Sequence, residues 1–311
     1  MKKFGNRILY ILGAATVVLA GCGGSGSSGP DATGFISLGI SDGPVHDAKK
    51  VCISFDEIEF KGNGQSIVVK LDPAESVNLL EFQGSNAMPI LISEELPAGE
   101  YQWMRLGIDA ERLGTGGTGD SSETECDGEG SYIVMNDGMA YNLYVPSGEE
   151  TGLKLVGGYT IPADSSVVFT AEFDLMKSVT APDGLSPDVI LRPTLRLVNN
   201  AEAGTLTGQV SNALATAEAC APSVYVFNDG IVPNAIDDGV DDDPNDPVAT
   251  AMVNAQLNSE EQTEYHYTVG FLLAGNYEVA FTCDGTVFVP ELGKSAVIEV
   301  KTVTTVDFLE E

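Results

Sequence analysis

The stretch Tyr277-Glu278-Val279-Ala280-Phe281-Thr282-Cys283 decides the fold class. Its odd positions are aromatic or apolar and end on a cysteine, while Glu278 and Thr282 fall between them. A two-residue period marks a strand with one face on a core and the other toward solvent. Just upstream, Leu272-Leu273-Ala274-Gly275-Asn276 reads as a turn that delivers Tyr277 as the first inward residue. The same arrangement occurs at Leu96-Pro97-Ala98-Gly99-Glu100-Tyr101. A match this short can arise by convergence on a common turn, so it implies shared architecture without establishing duplication.

Further alternating segments lie on both sides. In the first half they are 34–40, 51–55 continuing through Ile58 and Phe60 past a bulge at Asp56-Glu57, 101–108, 131–135, 140–145, 166–173 and 189–198. In the second they are 205–210, 223–227, 264–271, 287–289, 295–300 and 304–308. Strand signals at this spacing, broken by Gly, Pro, Asp and Asn, predict antiparallel sandwiches or barrels. No long segment has a helical period. Residues 79–83 and Glu94-Glu95 read as short helical turns, and 69–82 as a crossover packed on a sheet. The predicted fold is all-β, with two antiparallel β-sandwich domains at 34–199 and 204–311.

The N-terminus has a different pattern. Lys2, Lys3 and Arg7 precede an apolar run at 8–20, with no acidic residue before Asp31. These are the parts of an export signal, and the run is shorter than the roughly 20 residues that span a bilayer. Leu19-Ala20-Gly21-Cys22 resembles the lipobox of bacterial lipoproteins. The resemblance implies that 1–21 is a cleaved signal peptide and that Cys22 becomes the lipidated N-terminus. Residues 22–33, rich in Gly and Ser, then form a flexible tether. Gly23, where inner-membrane lipoproteins often carry Asp, implies the outer membrane of a Gram-negative cell.

The chain has 46 acidic and 15 basic residues among 311. Without Lys2, Lys3 and Arg7 its net charge is −34. Such a surface disfavours nucleic acid and anionic lipid headgroups as partners. A hydrophobic share of 43% supports real cores rather than a disordered acidic chain. Besides Cys22 there are four cysteines, an even number that reads as two disulfides in an oxidising compartment. Cys283 sits on the inward side of its strand, and Cys220 just before 223–227 is its natural partner. Cys52 then pairs with Cys126 in the Gly-rich acidic loop 114–131. Four cysteines allow three connectivities, so other pairings stay open.

Residues 34–44 (GFISLGISDGP), 96–108 (LPAGEYQWMRLGI), 141–155 (YNLYVPSGEETGLKL), 167–179 (VVFTAEFDLMKSV) and 189–198 (VILRPTLRLV) resemble domain of unknown function 4382 of bacterial lipoproteins. The resemblance implies an exported, anchored β-domain and supplies no activity. Gly43 departs from the family pattern, which has Ala between Asp and Pro. The second half resembles transthyretin-like sandwiches, such as carboxypeptidase regulatory-like domains, through its Ala-Gly-x-Tyr turn.

The densest chemical signal is 235–247 (AIDDGVDDDPNDP). Asp237, Asp238, Asp241, Asp243, Asn245 and Asp246 offer the oxygen ligands that Ca2+ takes from such loops. The loop departs from an EF-hand: Pro244 interrupts it, and the Gly and Glu of that motif are missing. A solvated acidic loop is the competing reading, as it is for Asp120, Glu123, Glu125, Asp127 and Glu129. His46 and His266 are the only histidines. With His266 read as facing solvent beside Thr268, neither a zinc site nor a Ser-His-Asp triad is assembled. Ser147 with Lys154 reads as part of a surface hairpin, and Trp103 as core. The chain is therefore expected to be a membrane-anchored envelope lipoprotein with a non-enzymatic binding, adhesion or structural role. Its expected partners are the membrane through the anchor, and envelope proteins or surface glycans. The competing readings are a calcium-dependent adhesin or carbohydrate-binding protein, and a polysaccharide-acting enzyme working through paired carboxylates.

Overall fold

The structure, a computed structural model, describes residues 32–43, 48–62, 64, 66–110, 126, 130–145, 152–175, 179–180, 189–191, 195–234 and 245–309. The N-terminal half contains β1 (Thr33–Gly43), β2 (Ala48–Gly62), β3 (Ser66–Asn78), β4 (Met88–Pro97), β5 (Gly99–Ile108) and β6 (Tyr132–Met135). It continues with β7 (Ala140–Tyr144), β8 (Leu153–Ile161), β9 (Ser166–Asp174), β10 (Val179–Thr180), β11 (Val189–Leu191) and β12 (Leu195–Asn199). One sheet has the order β12-β9-β1-β4. The other runs β10-β11-β7-β6-β2-β5-β8, with β3 along the free edge of β2. Ile36, Leu38 and Ile40 from the first sheet meet Ile53, Phe55, Ile58, Phe60, Met104 and Leu106 from the second in one buried core.

The change of parity in β2, from Phe55 to Ile58, is a register shift opposite both β3 and β5. The extra residue returns the inward set to the core after the bulge. Gly107 accommodates it, because a Cβ there would lie 2.4 Å from Glu57 Cγ.

The C-terminal half contains β13 (Ala203–Val210), α1 (Asn212–Ala215), β14 (Ser223–Asn228), β15 (Ala249–Met252), β16 (Asn254–Leu257), β17 (Thr263–Leu273), β18 (Gly275–Thr282), β19 (Phe288–Ile298) and β20 (Val303–Thr305). Its sheets, β16-β17-β13-β20 and β15-β14-β18-β19, enclose Leu206, Val224, Val226, Val269, Val279, Phe281 and Ile298. A disulfide ties each half, Cys52–Cys126 in the first and Cys220–Cys283 in the second.

The two Ala-Gly-x-Tyr turns are the same corner. Each passes the chain from one sheet to the other, β4 to β5 and β17 to β18. Tyr101 Oη donates to Pro97 O and Tyr277 Oη to Leu273 O, both at 2.8 Å and both four residues back. This is the tyrosine-corner arrangement of Greek-key sandwiches. The correspondence extends outward. β1 pairs antiparallel with β4 and parallel with β9, as β13 does with β17 and β20. Gly34 pairs with Leu96, and Gly204 with Leu272. A Cβ at Gly34 would lie 2.2 Å from Pro162 O and 2.8 Å from Ile161 Cγ2; at Gly204 the values are 2.3 Å from Glu299 O and 2.8 Å from Ile298 Cγ2.

Four expectations are corrected. The 69–82 crossover is instead a strand, β3, ending in a 3-10 turn at Leu79–Glu81; Ile67, Val69 and Leu71 alternate, and Asp72-Pro73 hid the continuation. Glu94-Glu95 lies within β4 rather than a helical turn. Residues 189–198 are not one strand: β11 pairs with β7 in one sheet and β12 with β9 in the other. Trp103 is half-buried rather than core, because Met104 and Leu106 take the inward parity; Lys154 Nζ sits 4.7 Å from its ring centroid.

Candidate functional site

Only the turn 200–202 separates β12 from β13. The segment after the 3-10 turn presses on β17. A Cβ at Gly270 would lie 2.2 Å from Gly84 O, and one at Gly84 would lie 3.3 Å from Thr268 Cβ. Backbone therefore meets backbone at a distance that only glycine permits. At the other side of the seam Thr250 Oγ1 donates to Asp174 Oδ1 at 3.4 Å. Gly43 faces the same hydroxyl, with a would-be Cβ 3.3 Å away. The departure from Ala at that position thus eases the approach of the second sandwich.

Carboxylates gather on the N-terminal side. Glu172 is buried and paired with Arg196. Burial pushes its pKa up to about 7, against the opposing pull of Arg196, with Asp174 adding to the rise. Asp42 is 3% exposed and neither of its carboxylate oxygens has a hydrogen-bond partner of good geometry. Burial, then the charges of Asp174 and Glu172, hold its pKa well above the usual carboxylate range; backbone groups of Leu175 and Gly43 oppose them. Glu172 and Asp174 line a cavity of about 20 Å³, room for one water. They stand side by side on one face of β9, so they do not oppose each other across a substrate cleft.

The larger concavity is a cleft of about 320 Å³. Its floor is the outer face of β16 and β17, presenting Asn254, Gln256, His266 and Thr268. Its wall is the 80–86 segment, with Glu81, Gln83, Ser85 and Asn86. His266 and Thr268 are therefore turned toward the other sandwich rather than toward open solvent. The contact of Gly84 with Thr268 and Gly270 decides this, and no pattern within β17 reports it. His266 Nε2 lies 3.1 Å from Glu264 Oε2. That contact, after an Asn258 hydrogen bond, lowers the pKa of Glu264.

The family described as domain of unknown function, DUF4382, matches residues 33–193. The chain belongs to this family. No curated protein matches the chain in sequence. Among solved structures it is similar to the minor pilin GBS52 of Streptococcus agalactiae, at 11% identity over 88% of this chain and 94% of that one, with a TM-score of 0.19. It is also similar to the fimbrial anchor protein Mfa2 of Porphyromonas gingivalis, at 9% identity, 85% and 82% coverage and a TM-score of 0.19. TM-scores this low carry no argument, and the sandwich assignment stands on the strand pairing itself.

The DUF4382 match ends at 193, before β12. The cleft thus takes its wall from the DUF4382 domain and its floor from outside it. Sequence reasoning missed this site because its residues are ordinary Asn, Gln, Ser and Thr, brought together by contacts between halves. Of the residues it singled out, Cys22, His46, Ser147, Asp237, Asp238, Asp241 and Asp243 lie outside the described residues, as does the acidic set Asp120, Glu123, Glu125, Asp127 and Glu129. Asn245 and Asp246 immediately precede the approach to β15. Among the described residues no group of three His, Cys, Asp or Glu side chains is placed to hold a metal ion.

Proposed function

We propose that this protein is an envelope lipoprotein, anchored through Cys22, whose two sandwiches bind a ligand without transforming it. The observation that carries the binding reading is the cleft between the sandwiches, which combines polar hydrogen-bonding groups with a single lining carboxylate, Glu81. Acid-base cleavage of a glycosidic bond needs two carboxyls flanking it, and a cleft with one suits recognition. The anchor reading rests on the Leu19-Ala20-Gly21-Cys22 sequence behind a basic, apolar leader. It places the protein in the outer membrane, with the acidic body held off the bilayer by the Gly/Ser tether and the second half a transthyretin-like sandwich.

Mass spectrometry of the mature N-terminal peptide tests the anchor. The expected result is an acylated Cys22 at the first position, with Cys22→Ser moving the protein out of the membrane fraction. A mature chain starting elsewhere and without fatty chains would remove the reading. The acidic segment 235–247 is the place where calcium would bind, if the adhesin form of this reading holds. Melting with millimolar calcium against chelator separates the two: a rise supports it, and no shift excludes it.

A further inference from the structure

The cleft differs in character from the surface around it. The chain has 46 carboxylate-bearing residues, yet Glu81 is the one among the lining residues, and its Oε1 already accepts from Asn78 Nδ2 at 3.1 Å. The other polar lining groups are carboxamides, hydroxyls and one imidazole. Carboxamides stand on both sides, Gln83 and Asn86 on the wall and Asn254 and Gln256 on the floor. Asn86 Nδ2 already donates to Gln83 O and Asn254 Nδ2 to Met252 O, which leaves each of those two a second donor hydrogen and its acceptor oxygen.

Three ligand classes fit badly. An anion would meet no Lys or Arg in the lining. A cation would find denser carboxylate elsewhere on the same molecule. An apolar ligand would strand the amides without partners. A ligand that both donates and accepts at every position, without charge, fits all of them. The volume is at the lower end of the ~300–1,000 Å³ range of small-molecule sites, which favour domain boundaries. The walls are also fixed in advance, because the Gly84–Gly270 contact sets their separation and Glu264 orients the His266 ring.

We infer that this cleft binds a neutral saccharide, with Gln83 of the wall and Asn254 and Gln256 of the floor holding its hydroxyls. The inference rests on the binding reading above and gives it a ligand class and a place. The probes are neutral oligomers of glucose, galactose, mannose and N-acetylglucosamine, with oligogalacturonate and spermine as charged controls. They are titrated calorimetrically into the detergent-solubilised full chain. The expected result is binding of at least one neutral oligomer. Gln83→Ala with Gln256→Ala weakens it about tenfold or more, the effect of losing one to two net hydrogen bonds. Trp103→Ala, on a different face, leaves it unchanged, and an unaltered melting temperature confirms the fold of each variant. No neutral oligomer bound at about 10 mM, the range of very weak association, overturns the inference. So does binding that the double substitution leaves intact, or preference for a charged control. Any of these three failures in a protein still acylated at Cys22 removes the saccharide site and leaves the anchor standing.

Discussion

The two halves share a frame and differ in what is built on it. β1, β2, β4, β5, β8 and β9 correspond to β13, β14, β17, β18, β19 and β20, and all four defining pairings recur with the same direction. Each disulfide joins the second strand, or its approach, to the segment following the corner-born strand. The N-terminal half adds β3, β6, β7 and β10 to β12, and it alone buries carboxylates among the described residues. Restraints recur where the backbone is crowded, and elaboration falls at sheet edges. The corner and its glycine are thus the frame, and the buried acids are an addition to it.

Removing a disulfide should have the largest effect. The bridges close loops of 74 and 63 residues, so each stabilises its half by about 4 kcal/mol on the chain-entropy account. Cys220→Ser with Cys283→Ser should split denaturant unfolding into two transitions, the C-terminal half going first. A single coincident transition would mean that the halves unfold as one unit.

The halves should next part company with pH. Asp42 and Glu172 have folded pKa values raised by burial, so the folded chain holds protons that the unfolded chain has released. Stability therefore falls as pH rises from about 4.5, Glu172's ordinary value, to about 7. For Glu172 the loss is at most about 3 kcal/mol. Amide exchange should place that loss in the N-terminal sandwich, and Glu172→Gln should flatten it. An equal slope in both halves would contradict the asymmetry.

Gly34→Ala and Gly204→Ala test the shared frame directly. Each forces a methyl against a carbonyl oxygen, and overpacking of this kind costs about 1–3 kcal/mol. Matching losses are expected; a loss in one half alone would break the correspondence. Smallest are Tyr101→Phe and Tyr277→Phe, each deleting one corner hydrogen bond worth about 1 kcal/mol. Chemical denaturation of the pair reads whether the corners are energetically alike.

Much of this frame is legible in local pattern. Alternation finds strands that bury one face, such as β5 and β18, and the Ala-Gly-x-Tyr turn marks both corners. Alternation fails where the deciding contact is remote. β3 is a half-exposed edge strand with Pro73 inside it, so its propensity argues against what its partner β2 imposes. β12 leaves the sheet of β11 within three residues, a switch that an apolar run does not record. The cleft is hardest to see, because Gln83 and Gln256 are 173 positions apart and neither belongs to a motif. The close Gly84–Gly270 approach brings their two segments together.

Strand direction gives the molecule a mechanical character. When the chain is stretched between Thr33 and Phe308, β13 and the segment from β20 to Phe308, which run parallel, slide lengthwise, and all the rungs between them share the tension at once. In the N-terminal sandwich the last strand, β12, runs antiparallel to β9, so Asn199 emerges at the same end as Thr33 and β12 peels from β9 one rung at a time. Single-molecule pulling should therefore rupture the N-terminal sandwich at lower force, leaving the C-terminal sandwich as the last to yield.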